Sequence, residues 1–159
     1  MTKDNFYFLS DEYCNMFKGH GVMSNKEVDE NGLHRRPCFY LLKDPKNDDI
    51  YWMIPISSKV EKYEKILNKK LLKYKTYDGL EFGYVKGRKA AFLLQNICPV
   101  KEEHIVEKYI DEITQEPIKI PNDVRRKLNA KGRKLINKFY NGEKSTLTDL
   151  NYIFSVINS

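Results

Sequence analysis

Three polar residues, Ser57-Ser58-Lys59, follow an apolar segment and precede a segment with helical spacing. Two hydroxyls and an ammonium would meet the first free N–H groups of a helix, which bind phosphate through amide donors and the helix dipole. Cleavage of RNA by its own 2′-hydroxyl requires the phosphate held in line, protons moved and growing negative charge neutralised. These residue types can supply all three without a metal ion. A structural role stays open, because Ser58 and Glu61 also match a capping box.

A second polar group, His34-Arg35-Arg36, stands directly before the apolar segment that starts at Cys38. If this segment pairs antiparallel with the one that ends at Ser57, Arg36 lies beside the two serines. Arginine grips phosphate with two parallel hydrogen bonds, and histidine transfers protons near neutral pH. The alternative is ordinary solvation of basic residues at a loop edge.

The elements that position these residues follow from hydrophobic periodicity. Cys38–Lys43 and Ile50–Ile56 flank the turn-forming residues 44–49, which predicts an antiparallel hairpin buried on both faces. A helix with apolar residues on one face and lysines on the other is predicted from Val60 to Leu71. Residues 18–36 are polar and punctuated by glycine, and predict a long surface loop.

The remaining predicted elements complete a single α+β domain over residues 1–159 with an antiparallel sheet. They are a strand at Asn5–Leu9, a helix from Asp11 to about Phe17 capped by Ser10, strands at Leu80–Val85 and Ala90–Ile97, a segment at His104–Ile110 that fits strand or helix, a helix from Pro121, and a last helix from about Leu147 to Ile157 capped by Ser145 or Thr146.

Charge points to a polyanionic partner. The first 58 residues carry 7 basic and 9 acidic residues, and the other 101 carry 21 and 13, a net charge of +8. The helix after Pro121 concentrates seven cations against the single acid Asp123, which predicts an RNA-binding surface with Tyr140 and Tyr152 available for stacking. A solvated lysine-rich face is the alternative. The seven cations are Arg125, Arg126, Lys127, Lys131, Arg133, Lys134 and Lys138.

A weaker signal is the amide pair Gln95-Asn96 at the end of a predicted strand. Amides read base edges or grip phosphates, and they also complete the hydrogen bonds of strand ends. We keep both residues as candidate RNA contacts.

Several classes are disfavoured. The chain has 41% hydrophobic and 13% aromatic residues, enough for a core, while its apolar runs have only strand length, so neither a membrane span nor a secretion signal is predicted. No phosphate-binding glycine loop, dinucleotide fingerprint or nucleophile elbow occurs. Three cysteines and three histidines lack metal-ligand spacing. We expect a cytoplasmic protein with reduced thiols and with neither a cofactor nor a metal ion.

Three segments resemble the ToxN/AbiQ family of endoribonuclease toxins from type III toxin–antitoxin systems, with the serine version closest to the CptN-type branch. They are Arg36–Tyr40, Tyr51–Tyr63 and Phe92–Pro99. The resemblance implies a compact, barrel-like antiparallel core related to MazF/Kid toxins, with helices around it. It also implies metal-independent RNA cleavage, usually in adenine-rich sequences, that leaves 2′,3′-cyclic phosphate and 5′-hydroxyl ends, and a role in phage defence or locus maintenance in the bacterial cytoplasm.

The resemblance further implies an RNA partner and a set of site residues. The partner is a small pseudoknot RNA antitoxin, cut by the toxin from a tandem-repeat transcript and held in a closed protein–RNA ring, with no membrane or DNA required. Ser57 and Ser58 match the paired hydroxyls of the family, Lys59 its active-site lysine, and Arg36 the basic residue that heads the preceding strand. Two other functions stay open: a non-catalytic RNA-binding module with serines as caps, and a protein-interaction subunit.

Overall fold

The computed structural model describes all 159 residues, which form nine strands and four helices. The strands are β1 (Phe6–Leu9), β2 (Lys26–Asp29), β3 (Gly32–Arg35), β4 (Cys38–Lys43), β5 (Ile50–Ser57), β6 (Glu81–Val85), β7 (Arg88–Phe92), β8 (Cys98–Lys101) and β9 (Ile105–Lys108). The helices are α1 (Asp11–Met16), α2 (Val60–Tyr74), α3 (Asn122–Tyr140) and α4 (Leu150–Ile157). None of the four is both long and apolar enough to cross a bilayer.

The β4–β5 hairpin is the centre of the fold and is buried on both faces, as predicted. Its residues alternate between two cores, because successive side chains of a strand point to opposite faces. Phe39 and Ile54 pair across the hairpin and pack in the core that α3 covers. The neighbouring pair, Tyr40 and Met53, packs in the core that holds residues of α1 and α4.

The antiparallel sheet confirms the predicted α+β class, but it does not close into a barrel. Six of its seven strands follow the order β6-β7-β5-β4-β1-β9, and the seventh, β8, pairs with β5 beside this path. One edge of β5 is shared by β8 along Ile50–Met53 and by β7 at Ile56 and Ser57. The sheet therefore forks at β5, and β6 and β9 remain its two unjoined ends.

The predicted long loop at residues 18–36 is wrong in its second half, where β2 and β3 form a separate two-stranded hairpin. Apolar periodicity does not reveal these strands, because the face of the hairpin turned toward the protein carries Glu27, Asp29 and His34 instead of apolar residues. The dipeptide Asn31-Gly32, whose glycine has φ +98° and begins β3, is the sequence feature that indicates a hairpin here.

Two further boundaries differ from the predictions. The strand predicted at Ala90–Ile97 ends at Phe92, and Leu94–Asn96 forms a 3₁₀ turn before β8. The last helix begins at Leu150 with Asp149 as its cap, three residues later than predicted. Thr146 cannot cap a helix there, because its buried hydroxyl donates to the carbonyl of Thr148. Ser10 caps α1 as predicted, accepting from the Tyr13 N–H.

Candidate functional site

Ser57 ends β5, and Ser58 follows it before α2 begins at Val60. The predicted capping box is wrong, because the helix cap is Lys59 and no side chain bonds the first turn. Both serine hydroxyls point instead at carboxylates of the β2–β3 hairpin. Ser57 Oγ donates to Glu27 Oε2 at 2.6 Å, and Ser58 Oγ lies 2.6 Å from Glu27 Oε1 and 2.7 Å from Asp29 Oδ2.

Glu27 is the hub of this cluster, and it is a residue that the sequence reasoning missed. Its carboxylate receives four donors: the two hydroxyls, the Ser58 N–H at 2.8 Å and Arg36 Nη1 at 2.9 Å. Its side chain is only 4% exposed. Burial raises the pKa of Glu27, but hydrogen bonds from the two serines and the Arg36 charge outweigh burial and bring it below its ordinary value. Glu27 is therefore ionised at neutral pH.

Arg36 lies beside Ser57, as the predicted hairpin requires, but it does not face outward. The residue is 5% exposed. Besides its bond to Glu27, its guanidinium donates from Nε to the Ser24 carbonyl at 2.7 Å and from Nη1 to the Ile56 carbonyl at 2.9 Å. In this arrangement Arg36 fixes Glu27 under the serines, and direct contact of Arg36 with a phosphate stays a prediction.

His34 and Asp29 form the outer part of the cluster. The β2–β3 register sets His34 opposite Glu27, and Asp29 is two residues from Glu27, so all three share one face of the hairpin. His34 Nε2 lies 3.0 Å from Asp29 Oδ2, and its Nδ1 lies 3.1 Å from the Arg35 carbonyl oxygen. A hydrogen bond from Ser58 is the largest cause that lowers the pKa of Asp29. His34 is 40% exposed and is reached from solvent.

Ser58 stands where two clefts meet. One of about 510 Å³ lies between the β2–β3 and β6–β7 hairpins, and the other of about 480 Å³ lies at the start of α2. Asp29, Ser58 and Arg88 line both. Apolar and aromatic side chains line part of the larger cleft, including Phe8 and Tyr109. The cationic residues along the two clefts are Arg35, Lys59, Lys62, Lys86, Arg88 and Lys89.

This groove suits an extended polyanion with bases. Cations along a groove bind successive phosphates, and aromatic or apolar surfaces accept bases. Lys59 is exposed at the smaller cleft, so its ammonium is available to a ligand that reaches Ser58. The Arg35 guanidinium lies 3.8 Å from the centre of the Phe8 ring and pairs with Glu107 at 2.6 Å, which holds it at the larger cleft.

Glu27, Asp29 and His34 are the one group of residues that could offer ligands to a metal ion, with ligand atoms within 4.8 Å of one another. Both oxygens of Glu27 already accept hydrogen bonds, one of them from a guanidinium. A cation at this point would have to displace those donors and would stand close to the Arg36 charge. The donor set therefore fits proton sharing better than metal coordination.

Gln95 and Asn96 do not line the groove, and both side chains are bonded within the protein. Each is 5% exposed. Gln95 Oε1 accepts from the Tyr77 hydroxyl at 2.7 Å, and Asn96 Nδ2 donates to the Gly21 carbonyl at 2.9 Å. Their amides join the 3₁₀ turn to neighbouring segments by hydrogen bonds.

The basic helix α3 has a mixed set of cations. Arg126, Lys127 and Arg133 are exposed and form no ion pair, which leaves them available to a polyanion. Lys131 Nζ binds Glu81 at 2.8 Å and the Leu80 carbonyl at 2.9 Å, so in this structure its charge is engaged within the protein. Of the remaining three cations of α3, Arg125 forms an ion pair with Asp4 at 3.6 Å and Lys134 forms one with Asp78 at 3.4 Å. The third, Lys138, is half-buried.

The two tyrosines predicted for stacking are both engaged within the protein. Tyr140 donates its hydroxyl to Asp44 at 2.7 Å, and burial together with this carboxylate raises its pKa well above the ordinary range. The Tyr152 ring stacks on His20, with ring centres 4.0 Å apart. Tyr140 is therefore held by Asp44, whereas Tyr152 is still 41% exposed and its role in stacking stays a prediction.

The chain has a fold similar to that of solved structures, but its sequence is only distantly similar to theirs. No family model matches the chain. No curated protein matches it either. Among solved structures, the chain is similar to AbiQ, a lactococcal anti-phage endoribonuclease belonging to the type-III toxin–antitoxin system. The two share a TM-score of 0.65 and 14% identity over 99% of this chain and 97% of AbiQ.

A second similar chain comes from the structure of a bacterial antiviral system regulated by a processed non-coding RNA. The TM-score is 0.64 at 12% identity, over 95% of each chain. Both likenesses span nearly the whole of each chain, so the overall fold is shared. This outcome agrees with the fold implied by the ToxN/AbiQ resemblance.

Proposed function

We propose that the protein is an endoribonuclease toxin of a type III toxin–antitoxin system that cleaves RNA without a metal ion. The 2′-oxygen attacks the adjacent phosphorus as the P–O5′ bond breaks, which leaves a 2′,3′-cyclic phosphate and a 5′-hydroxyl. One observation carries the proposal: the Ser58 hydroxyl, held by Glu27 and Asp29, stands at the junction of two cation-lined clefts.

The residues divide into three roles. Ser58 and Lys59 contact the reacting atoms. Ser58 Oγ, whose own proton is bonded to a carboxylate, accepts the proton of the 2′-hydroxyl, and the Lys59 charge stabilises the transition state at the phosphate. Ser57 and Arg36 position the Glu27 carboxylate below them. Arg35 and the cations of the groove hold neighbouring phosphates.

We further propose that a small structured RNA inhibits the toxin and is produced by it from a tandem-repeat transcript. The fold shared with AbiQ and with the chain from an RNA-regulated antiviral system supports this partner. The free cations Arg126, Lys127 and Arg133 of α3 give that RNA a binding surface outside the groove. Pseudoknot folding of the RNA, a closed protein–RNA ring and phage defence belong to the same proposal.

The deciding experiment is cleavage of adenine-rich RNA in EDTA by the wild type and by Ser58→Ala, with the product ends mapped. We expect cyclic-phosphate and 5′-hydroxyl ends from the wild type and a loss of at least about 100-fold in Ser58→Ala. Ser155→Ala, an exposed serine of α4 outside the groove, is the matched control and should cleave like the wild type. Activity that needs an added divalent ion would refute the metal-independent mechanism.

A non-catalytic RNA-binding module is the second candidate, and one observation favours it: both serine hydroxyls are already bonded to Glu27. In that case RNA stays intact and Ser58→Ala binds it as tightly as the wild type. The DNA upstream of the gene separately tests the RNA partner, because short tandem repeats followed by a terminator are expected there. A gene for a protein antitoxin in that place would contradict the type III assignment.

A further inference from the structure

The two hydrogen-bond partners of the His34 ring are both acceptors. Nδ1 faces the Arg35 carbonyl at 3.1 Å, and Nε2 faces the Asp29 carboxylate at 3.0 Å. A neutral imidazole donates from one nitrogen only and would set a lone pair against the other acceptor. An imidazolium donates to both, so this geometry favours the charged ring.

The proton count around Ser58 leads to the same state. Its single hydroxyl proton lies between two carboxylate oxygens, Glu27 Oε1 at 2.6 Å and Asp29 Oδ2 at 2.7 Å. When Ser58 donates to Glu27, Asp29 needs another donor, and the Nε2–H of His34 is the one within reach.

Charge balance within the cluster favours the same proton. Glu27 and Asp29 bring two negative charges, and Arg36 brings one positive charge. With an imidazolium at His34 the four groups are neutral together, whereas a neutral imidazole leaves them with one net negative charge. The remaining charged groups along the groove around His34 are Glu30, Arg35, Lys59, Glu61, Lys62, Lys86, Arg88, Lys89 and Glu112.

We propose that His34, charged and aimed by Asp29, is the general acid that protonates the leaving 5′-oxygen of the cleaved RNA. The proposal rests on the nuclease function and assigns a role within its site. His34 is 40% exposed in the groove that passes Ser58, so a bound nucleotide can reach its ring. Asp29 acts through His34 and is a positioning residue.

Proton transfers to Glu27 and from His34 accompany the breaking of the RNA chain. The 2′-hydroxyl gives its proton to Ser58 Oγ, which passes its own proton to Glu27 across 2.6 Å. The 2′-O–P bond forms and the P–O5′ bond breaks, with both electrons going to O5′. The leaving O5′ replaces Asp29 Oδ2 as the acceptor of the His34 Nε2–H and takes its proton, which leaves the imidazole neutral. Exchange with water then deprotonates Glu27 and recharges His34.

A substrate with sulfur in place of the bridging 5′-oxygen tests this role directly. A thiol is far more acidic than an alcohol, so a thiolate leaves without a proton donor. On ordinary RNA we expect His34→Ala to lose about 10²–10⁴-fold in rate. On the sulfur-bridged RNA the same variant should be within about tenfold of the wild type, whereas an acid-independent defect would persist. Asp29→Asn should show a smaller loss with the same rescue.

His20→Ala is the matched control, because His20 is also half-exposed and also lies near a carboxylate, Asp149 at 3.8 Å, but outside the groove. It should match the wild type on both substrates. Equal losses of His34→Ala on the two substrates, or wild-type rates on both, would overturn the acid assignment and leave the nuclease in place. If the wild type cleaves neither RNA, the proposed function itself is wrong. Circular dichroism of each variant separates misfolding from these outcomes.

Discussion

Glu27→Gln is the change that probes the site most sharply, because it removes one charge and keeps the shape. In the wild type the buried carboxylate neutralises the buried Arg36 guanidinium at 2.9 Å and accepts from both serines. The glutamine amide leaves that guanidinium without a counter-charge and turns an NH₂ group toward donors. Removing one partner of a buried ion pair costs about 3–5 kcal/mol. Total stabilities are commonly about 5–15 kcal/mol, so the loss is large.

Urea unfolding followed by circular dichroism measures this loss. Glu30→Gln is the control on the same hairpin, because Glu30 is exposed and its ion pair with Arg88 is long, at 3.8 Å. This change should alter the free energy of unfolding by less than about 0.5 kcal/mol. Arg36→Met combined with Glu27→Gln removes the uncompensated charge. The double variant should therefore lose less than the sum of the two single changes.

The stabilisation also depends on pH with a definite sign. The pKa of Glu27 is lower in the folded chain than its ordinary value, so the folded state favours the ionised carboxylate. This contribution is complete above the unfolded pKa of about 4.3 and is lost as pH falls through the lower folded value. The gap between wild type and Glu27→Gln should shrink in acid. Equal urea midpoints for Glu27→Gln and Glu30→Gln at pH 7, or strict additivity in the double variant, would refute the reasoning.

Two further predictions concern the RNA-binding face of α3 and one tight turn. Replacing Arg126, Lys127 and Arg133 with glutamine should weaken RNA binding and reduce the slope of log affinity against log salt by about 2. Lys131→Gln should mainly lower the urea midpoint, because Lys131 is paired within the protein. Unchanged salt slopes of the triple variant in filter binding would contradict this prediction. Gly21→Ala should destabilise the fold by more than about 1 kcal/mol, because Gly21 has φ +86° and a Cβ there would overlap the Leu147 carbonyl. Gly19→Ala is the control, because a Cβ at Gly19 would meet open space. Equal melting temperatures of the two variants would count against the prediction.

Much of the fold was predictable from the sequence. The β4–β5 hairpin has continuous apolar strands around a run of turn formers, and α3 has apolar residues at helical spacing, so local patterns specify both. The order of strands beyond this hairpin was not predictable. It depends on how β5 divides one edge between β7 and β8, which no local pattern encodes.

The candidate site was predictable only in part. Ser57 and Ser58 stand at the junction of strand and helix as the spacing indicates, and hairpin pairing brings Arg36 beside them. The carboxylates that bond these hydroxyls come from β2, about 30 residues earlier in the chain. Polar strands carry little periodic signal, so Glu27 and Asp29 read as loop residues in the sequence.

The sequence by itself thus determined which residues are apolar, where the central strands and long helices run, and that two hydroxyls and a lysine follow a buried strand. Only the tertiary structure decided how those groups are used. Burial made Glu27 and Arg36 partners, because neither charge is tolerated alone inside the protein. The same packing buried Gln95 and Asn96 and left His34 at the groove. Burial and partner choice depend on contacts between distant segments, which hydrophobic spacing along one segment does not report.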